Sequence, residues 1–439
     1  MSLGPRWTEL NPHQEQSRLW RSDKRFRVVP AGRRSGKTEL AKRFGVLSAL
    51  QTDRPDAWYV FGAPTHQQAK RIFWRDLKAL VPRELMAGRP SEGELTIRLV
   101  NGAEITVLGL DAPERIEGRQ LDWICADEYG NCKPSVWDEN IRPALSTRGR
   151  PGGGWLIGVP EGRNHYYEKA IEAQKETQPD WDHFHWVSAD IMDPEEVEAA
   201  RRELDELTFA QEYLASFVTY SGRAYYAFDR ATHTQSCPEY NPDRPLVFCF
   251  DFNVSPATAV VAQELDYQGE NPDVAEVVTA VIGEVYIPRN GNTPAVCRKL
   301  VQDWADHPGE VWVSGDATGG AKGTSQVRGS DWDIIRQELK PIYQERFRYR
   351  VPRANPRERV RLNAMNSRLK SAAGTIRMLF NPEAAPYTVN DVEACILLEG
   401  GAGELDKSHS TQTHLTDALG YYVEKQHPVT KQITRTVPI

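Results

Sequence analysis

The segment from Val28 to Thr38 carries residues that could bind the phosphates of a nucleotide. An apolar run leads into Gly32, Arg33, Arg34, Ser35, Gly36, Lys37 and Thr38, and a helical pattern follows. Small residues let backbone N–H groups surround a phosphate, a lysine balances its charge, and a threonine hydroxyl binds Mg²⁺. The N-terminus of the next helix adds partial positive charge. The segment therefore predicts a phosphate-binding loop for ATP, with Thr38 as a ligand of Mg²⁺.

Two arginines stand inside this loop, where small residues are more usual. Arg33 and Arg34 follow Gly32 directly. One hypothesis is that both side chains are solvated. The other is that one of them acts as an arginine finger, which stabilises the charge that develops on the γ-phosphate. The residues by themselves leave both hypotheses open.

A pair of acids follows a second apolar run. Residues 121–126 predict a strand, and Asp127 and Glu128 come directly after it. At the carboxyl end of a parallel strand beside the phosphate loop, Asp127 would hold the Mg²⁺ shell, and Glu128 would orient or deprotonate the attacking water. The loop and the acidic pair together predict ATP hydrolysis.

Three polar residues outside these motifs are candidates for the same site. Arg115 and Arg119 lie in the loop before the acidic pair and could reach the nucleotide of a neighbouring subunit, although a solvated arginine is an equal alternative for each. Gln14 precedes the first predicted strand and could contact the edge of an adenine.

Three acids in the second half of the chain could hold metal ions. Asp251 lies within one predicted strand, Asp316 follows another, and Asp417 lies on the last predicted helix. A buried carboxylate costs free energy unless it is paired or bound to a metal. Three such acids suit a two-metal phosphodiesterase site, and their oxygen ligands favour Mg²⁺ or Mn²⁺. The alternative is accidental spacing, because the chain contains 61 acidic residues.

Four further residues could lie near those metals. Glu284 and Asp406 are expected to be surface acids, and structural roles are expected for His409 and His414.

Length and composition limit the class of protein. The chain has 439 residues, which predicts two or three domains because single cores seldom exceed about 250–300 residues. No apolar run approaches the roughly 20 residues that span a bilayer, so no membrane partner is expected. The six cysteines show no zinc spacing and indicate reduced thiols. A net charge of −7 counts against a permanently bound nucleic acid but allows a local basic groove.

The elements that position these residues follow an α/β pattern. Strands are predicted at 27–30, 58–62, 121–126 and 155–159, helices at 38–50 and 67–80, and a hairpin around Asn101-Gly102. This alternation predicts a parallel sheet with helices on both faces. We expect an ATPase core at 1–163, a helical lid at 164–217, a linker at 218–245 and a second α/β domain at 246–439. In that domain, strands 246–252 and 258–264 are expected to be antiparallel, and helices are expected at 293–306 and 413–425.

The order of these elements resembles the large terminase subunit of tailed bacteriophages, over nearly the whole chain. The resemblance rests on Gly32 to Thr38, then Gly62-Ala63-Pro64-Thr65, then Arg115-Ile116-Glu117-Gly118 leading into Asp127-Glu128, then Gly158-Val159-Pro160, and finally the acids of the second half.

The resemblance implies an ASCE-type P-loop ATPase core with a small helical lid, followed by an RNase H-like nuclease domain. It implies ATP-driven translocation of viral double-stranded DNA into procapsids and metal-dependent cleavage of the concatemeric genome. It assigns nucleotide and Mg²⁺ binding to Lys37, Thr38 and Asp127, hydrolysis to Glu128, the cis arginine to Arg33, adenine contact to Gln14, coupling to residues 158–160, and the nuclease metals to Asp251, Asp316 and Asp417.

The expected partners are double-stranded DNA, the portal protein, a small terminase subunit and copies of the chain itself. On the capsid the chain is expected to form a ring of five subunits. In solution it could be a monomer. The expected location is the host cell cytoplasm, not the mature virion.

The sequence departs from the terminase pattern at two places, and two other classes of protein stay open. Ala31 replaces the first glycine of the loop, and residues 158–160 lack the Ser or Thr that is frequent in the coupling motif. One alternative is a helicase or DNA-repair ATPase whose second half only grips DNA. The other is a structural, portal-associated protein with a degenerate nucleotide site.

Overall fold

The computed structural model describes residues 10–218, 222–252, 255–320, 329–398, 403–408 and 413–429. The chain divides into two compact units. The first contains Met1–Val197 and Ala210–Thr219, and the second contains Glu198–Phe209 and Tyr220–Ile439.

The first unit contains a seven-stranded sheet within the described residues, in the order β3-β4-β2-β5-β6-β1-β7. Neighbouring strands are parallel except β3, which is antiparallel to β4. The strand β6 lies between β1 and β5, so one strand separates the phosphate loop from the acidic pair. The strands are β1 (Phe26–Pro30), β2 (Trp58–Ala63), β3 (Thr96–Arg98), β4 (Glu104–Gly109), β5 (Trp123–Ala126), β6 (Gly153–Gly158) and β7 (Trp181–His183).

Two apolar clusters cover the two faces of this sheet, as expected for parallel strands that are buried on both sides. Val29 and Phe61 face one cluster, and Val28 and Val60 face the other. The helices are α1 (Gln14–Arg21), α2 (Lys37–Gln51), α3 (His66–Ala69), α4 (Arg75–Leu80), α5 (Arg142–Ala144) and α6 (His165–Glu172). The chain passes between the two units within α7 (Pro194–Glu203) and α8 (Glu206–Glu212).

The second unit contains a mixed sheet in the order β12-β11-β8-β9-β10-β13. The strands β8, β9 and β10 are antiparallel neighbours, whereas β11 is parallel to both β8 and β12, and β13 is parallel to β10. The strands are β8 (Leu246–Asp251), β9 (Ala257–Asp266), β10 (Val274–Ile287), β11 (Val311–Gly315), β12 (Phe347–Tyr349) and β13 (Ile376–Phe380).

The alternation of side chains along β8 separates two cores in this unit. Val247 and Cys249 pack with residues of α12, α13 and α14, whereas Phe248 and Phe250 pack with residues of α10 and α11. Successive side chains of a strand point to opposite faces of its sheet, which explains this division. The helices are α9 (Arg230–Thr234), α10 (Thr293–Trp304), α11 (Asp331–Tyr343), α12 (Glu358–Leu369), α13 (Pro386–Ala394) and α14 (His414–Gln426).

Most of the expected elements are present, and the α/β class with an ATPase-like core and a second α/β unit is confirmed. The hairpin around Asn101-Gly102 forms, with Thr96 opposite Thr106. The antiparallel pair at the start of the second unit forms as well.

Two expected domain boundaries differ from the structure. The stretch expected to be a helical lid contains β7, which extends the first sheet by pairing with β1. Three residues with one large apolar side chain, Trp181, are too few for a strand pattern to be recognised. The expected linker contains α9, and its Tyr225 and Phe228 are buried in the core of the second unit. Its turn-forming residues therefore connect segments that pack in the core of the second unit, and this stretch is not a free linker.

Among the described residues, no helix is long and apolar enough to cross a membrane. All six cysteines are free thiols, and five of them are buried.

Candidate functional sites

The loop between β1 and α2 folds tightly around Gly32. A Cβ atom on Gly32 would lie 2.5 Å from the backbone nitrogen of Ser188, so only glycine fits there. Gly36 has φ +78° and begins α2 from the left-handed region. The Ser35 hydroxyl is buried and donates to the carbonyl of Gly32 over 2.5 Å. The local chain thus has the compact turn that a phosphate-binding loop needs.

Two side chains distant in sequence hold this loop from outside. The carbonyl of Ser35 accepts hydrogen bonds from Gln16 Nε2 at 3.0 Å and from Trp186 Nε1 at 2.9 Å. Gln14, the expected adenine contact, is exposed at the first turn of α1. The glutamine that contacts the loop is therefore Gln16, and a role for Gln14 stays a prediction. Sequence spacing did not distinguish Gln14 from Gln16 because only the helix phase decides which of them is buried.

Lys37 and Thr38 lie where the expected chemistry needs them. Lys37 is buried, and its Nζ donates to the carbonyl of Gly32 over 3.3 Å. Thr38 donates from its hydroxyl to Asp127 Oδ2 over 2.8 Å. Thus β5 and β1, separated by β6, bring the threonine and the first acid into direct contact. Two oxygen donors side by side form a set that Mg²⁺ accepts.

Glu128 stands beside Asp127 in a left-handed backbone conformation, with φ +52°. Burial, together with the neighbouring Asp127 carboxylate, raises the pKa of Glu128 to about 7. Burial also raises the pKa of Asp127, and Lys37 opposes that effect. A carboxyl with a pKa near neutrality can exchange a proton with water at physiological pH, which suits a general base.

Arg33 forms an ion pair inside the first unit. Its guanidinium lies 3.1 Å from the Glu212 carboxylate, and its backbone N–H donates to the Glu212 carbonyl over 2.6 Å. The carbonyl of Arg33 accepts from the Ser188 hydroxyl over 2.8 Å. Arg34 is exposed and has φ +54°. The hypothesis of a purely solvated Arg33 is therefore wrong for this structure.

The end of β6 contacts both the phosphate loop and the acidic pair. The carbonyl of Gly158 accepts from Ala31 N over 3.1 Å. A Cβ on Gly158 would lie 3.3 Å from both Glu128 Cα and Tyr129 N. The segment Gly158-Val159-Pro160 thus begins between the phosphate loop and the acidic pair, and its coupling role stays a prediction.

The two candidate trans arginines differ in their surroundings. Arg119 forms an ion pair with Glu104 at 2.5 Å, and its guanidinium lies 4.6 Å from the centre of the Trp58 ring. Arg115 is exposed in the turn Pro113–Ile116. Arg119 is thus already held by its own subunit, whereas Arg115 is accessible.

In the second unit, Asp251 and Asp316 lie at neighbouring strand ends. Gly315 on β11 is opposite Phe250 on β8, and Asp316 N donates to the Phe250 carbonyl over 3.2 Å. Adjacent strands are about 4.8 Å apart, so the carboxyl ends of these parallel strands bring the two acids close together. Asp316 Oδ1 accepts from Asn355 Nδ2 over 2.6 Å and from the Thr318 hydroxyl over 2.7 Å.

The third acid, Asp417, is buried in the first turn of α14 and forms ion pairs with two basic side chains. Its Oδ1 lies 2.5 Å from Arg361, and its Oδ2 lies 3.5 Å from Lys407. Burial raises the pKa of Asp417, the Arg361 guanidinium opposes this, and the Asp251 carboxylate adds to it. A buried carboxylate that keeps its charge needs such a partner.

Among the described residues, no group of three or more His, Cys, Asp or Glu side chains is arranged to hold a metal ion. The expected cluster of Asp251, Asp316 and Asp417 is therefore not formed as a single ligand set in this structure. Two of the acids are adjacent, and the third is neutralised by Arg361. The sequence placed all three on the correct elements but gave no sign of the arginine that pairs with Asp417.

The additional candidates have different roles. Glu284 is not a surface acid, because its carboxylate accepts from Tyr387 N at 2.9 Å and Thr388 N at 2.7 Å and so caps α13. Asp406 accepts from Ser408 N over 2.9 Å. His414 Nδ1 lies 3.1 Å from Asp251 Oδ2. His409 lies outside the described residues.

Asp391 is a residue that the sequence did not single out. Burial raises the pKa of Asp391 to about 7, and its Oδ2 is buried without a hydrogen-bond partner. It lies on α13 within the electrostatic reach of His414, and backbone N–H groups at Thr413 and Leu415 donate to it. One acid among 61 on a short helix carries no sequence signal.

Comparisons with known proteins agree with this arrangement. The family model described as terminase large subunit, T4likevirus-type, N-terminal, matches residues 29–231. The large terminase subunit of Thermus phage G20c is 30% identical over 254 residues, covering 50% of this chain and 51% of the relative. That of Escherichia phage T5 is 28% identical over 221 residues, covering 48% of this chain and 49% of the relative. The chain thus spans about half the length of the curated relatives it matches.

A solved structure is similar over more of the chain. The large terminase of a thermophilic bacteriophage, in complex with ADP, matches with a TM-score of 0.61 and 16% identity, covering 94% of this chain and 98% of that one. At this identity the likeness shows the fold, which includes both units. The first unit is thus similar in sequence to large terminase subunits of bacteriophages, and both units are similar to a large terminase in fold.

Proposed function

We propose that the chain hydrolyses ATP to drive viral double-stranded DNA into a procapsid and that its second unit cuts the concatemeric genome. The observation that carries the proposal is the contact of Thr38 with Asp127 at 2.8 Å, beside a Glu128 whose pKa is about 7. A hydroxyl and a carboxylate that could hold Mg²⁺, beside a carboxyl that could accept a proton from water, support nucleotide hydrolysis over a degenerate, purely structural nucleotide site.

In the proposed ATPase step, Lys37 would bind the β- and γ-phosphates, and Thr38 with Asp127 would hold Mg²⁺. The metal supplies charge neutralisation for the leaving phosphates. Glu128, in its ionised form, accepts the proton of the attacking water. Arg33 exchanges Glu212 for the γ-phosphate as charge develops there, because a guanidinium binds phosphate with two parallel hydrogen bonds.

In the proposed nuclease step, Asp251 and Asp316 present carboxylate oxygens to divalent ions at the end of β8 and β11. Mg²⁺ or Mn²⁺ would activate water and stabilise the leaving oxygen of a phosphodiester. Asp417 would be available as a third ligand only if its carboxylate separated from Arg361. Asn355 and Thr318 fix the orientation of the Asp316 carboxylate through the hydrogen bonds described above.

The proposed partners are double-stranded DNA, the portal protein, a small terminase subunit and four further copies of this chain in a ring on the capsid. Arg115, exposed on the first unit, is the arginine proposed to reach a neighbouring subunit's nucleotide. The proposed location is the cytoplasm of the host cell.

The proposal is tested with two variants of the full chain. Lys37→Ala should abolish ATP hydrolysis and leave Mn²⁺-dependent cleavage of plasmid DNA intact, whereas Asp316→Asn should do the reverse. Lys340→Gln, an exposed substitution in the second unit, is the control and should leave both activities unchanged. Cleavage that persists in Asp316→Asn would remove the nuclease assignment.

A second test addresses the arginine finger. Arg33→Ala should lower ATP turnover by more than about tenfold. Arg34→Ala, the adjacent loop arginine, is the matched variant and should have the smaller effect. The opposite order would reassign the finger to Arg34.

One alternative is supported by a specific observation. Because Asp417 is paired with Arg361, the second unit could grip DNA without cutting it, as in a helicase or repair ATPase. ATP-dependent strand separation without Mn²⁺-dependent cleavage would favour that alternative.

A further inference from the structure

A small cavity lies in the second unit between β11, the residue after β12, and the last turns of α14. Its volume is about 60 Å³, and its lining residues are Val247, Trp312, Ser314, Arg350, Tyr422, Lys425 and Gln426. We call it the Arg350 pocket. A cavity of about 10–15 Å³ holds one water molecule, so this pocket has room for a group of several heavy atoms.

Two cations line the Arg350 pocket. The Arg350 guanidinium lies 3.4 Å from the centre of the Trp312 ring. Lys425 is close enough to Arg350 for the two charges to repel, since burial and Arg350 together lower the pKa of Lys425. Neither has a carboxylate within ion-pairing distance among the described residues; the nearby Glu310 pairs with Arg348 at 2.8 Å. Glu310 does interact electrostatically with Arg350 at longer range, but two adjacent cations without an ion-pair partner in the described part of the chain still favour an anion between them.

A buried hydroxyl also lines the pocket. Ser314 is 1% exposed, and its Oγ has no hydrogen-bond partner. Buried polar atoms are almost always hydrogen-bonded, so a buried hydroxyl without a partner beside a polar cavity indicates a missing acceptor or donor. An anion in the pocket would accept from Ser314 while contacting both cations.

The pocket lies on the face of the sheet that carries the acids. Val247 and Cys249 face α14, and so does Asp251, which is in contact with His414 of that helix. Ser314 is on β11, and Asp316 follows it by two residues, directly after the end of this strand. At about 3.3 Å per residue, the two positions are roughly 7 Å apart. A strand of nucleic acid lying across Asp251 and Asp316 could therefore place a neighbouring phosphate in the pocket.

We propose that the Arg350 pocket binds a backbone phosphate of the DNA strand held at Asp251 and Asp316, one or two nucleotides from the bond that is cut. The proposal rests on the nuclease function proposed above. A planar guanidinium, an ammonium and a hydroxyl match the oxygens of a phosphodiester. The pocket thus sets the register of the strand relative to the acids, without contacting the bases.

The test uses the full chain without divalent ions, so that DNA is bound but not cut. Affinity for a short fluorescent DNA duplex is measured across a range of salt concentrations for Arg350→Gln, Lys425→Gln and Ser314→Ala. Lys340→Gln is the control with the same loss of charge. Loss of one phosphate contact should reduce the slope of log affinity against log salt by about 0.9. Each cation variant should show this change, and the control should not.

Ser314→Ala provides a readout that a structural role would not give. It should weaken DNA binding severalfold yet leave the melting temperature unchanged or higher, because the hydroxyl has no partner to lose in the unbound protein. This variant and Lys425→Gln decide the question even if Arg350→Gln, which loses its stacking on Trp312, fails to fold.

The outcomes separate this inference from the nuclease proposal. If the slope of log affinity against log salt is the same for Lys425→Gln and Lys340→Gln, the proposal that the pocket binds a DNA phosphate is wrong, whatever the cleavage result. Protection of the wild type against heat by inorganic phosphate, without any change in the DNA salt slope, would mean a free anion and would also overturn it. Asp316→Asn should keep the wild-type slope. If the wild type does not cut but the pocket variants lower the slope, the nuclease assignment fails and the phosphate pocket stands.

Discussion

The carboxyl of Glu128 should make the first unit less stable as the pH rises. Its pKa is 4.5 in a solvated chain and about 7 in the folded protein, because it is buried next to Asp127. The folded chain therefore holds a proton that the unfolded chain releases, and stability falls as the pH rises through this window. At 1.36 kcal/mol for each pH unit, ionising Glu128 in the folded protein costs about 3 kcal/mol above pH 7.

The substitution Glu128→Gln keeps the shape of the side chain and removes the ionisation. The difference in free energy of unfolding between this variant and the wild type should grow in favour of the variant by about 2–3 kcal/mol from pH 5 to pH 8. For a unit of this size, that corresponds to a gain in melting temperature of about 5–10 °C at pH 8. The measurement is thermal unfolding of both proteins without nucleotide or metal, at both pH values.

Glu114→Gln is the matched control, since Glu114 is an exposed acid of the same unit. Its effect on the melting temperature should be small and the same at both pH values. A Glu128→Gln variant whose difference from the wild type did not change with pH would refute the reasoning. In that case burial would not raise the pKa of Glu128, and the argument that it serves as a base near neutrality would lose its support.

Two further predictions concern side chains that hold the sites. Gln16→Ala should lower the melting temperature and weaken ATP binding about fivefold in thermal-shift and nucleotide-titration measurements, because the Ser35 carbonyl loses one of its two donors. Gln14→Ala, on the exposed face of the same helix, should leave the melting temperature unchanged, and weaker ATP binding by this variant would support the predicted adenine contact. Arg361→Gln should destabilise the second unit by about 3–5 kcal/mol at pH 7, since it leaves the Asp417 carboxylate buried without its partner. The double variant with Asp417→Asn should recover most of that loss in denaturant unfolding, and no recovery would mean that Arg361 stabilises the fold in another way.

The nucleotide site was predictable from sequence to an unusual degree because its parts are contiguous. The phosphate loop, with its glycines, Lys37 and Thr38, is one segment between a strand and a helix, and the acidic pair directly follows an apolar run. The one long-range step, the contact of Thr38 with Asp127, follows from the rule that the carboxyl ends of parallel strands meet at one edge of the sheet.

The surroundings of that site were not predictable, because they come from segments with no local pattern. Trp186, Ser188 and Glu212 contact the loop from far along the chain, and each looks ordinary in its own segment. The strand β7 was missed for the same reason, since three residues are too short to show alternation. Arg33 could be recognised as unusual but not as half of an ion pair.

The sequence by itself determined the elements, their order, and the residue types that could do chemistry in each half. Those properties depend on local composition and on the periods of helix and strand. Only the tertiary structure decided the partners of the acids: it places Asp251 and Asp316 at neighbouring strand ends, pairs Asp417 with Arg361, and makes Glu284 a helix cap. The reason is physical, since the charge of a buried acid is balanced by whichever cation or N–H group the packing brings within about 3 Å, and that neighbour is not written near it in the chain.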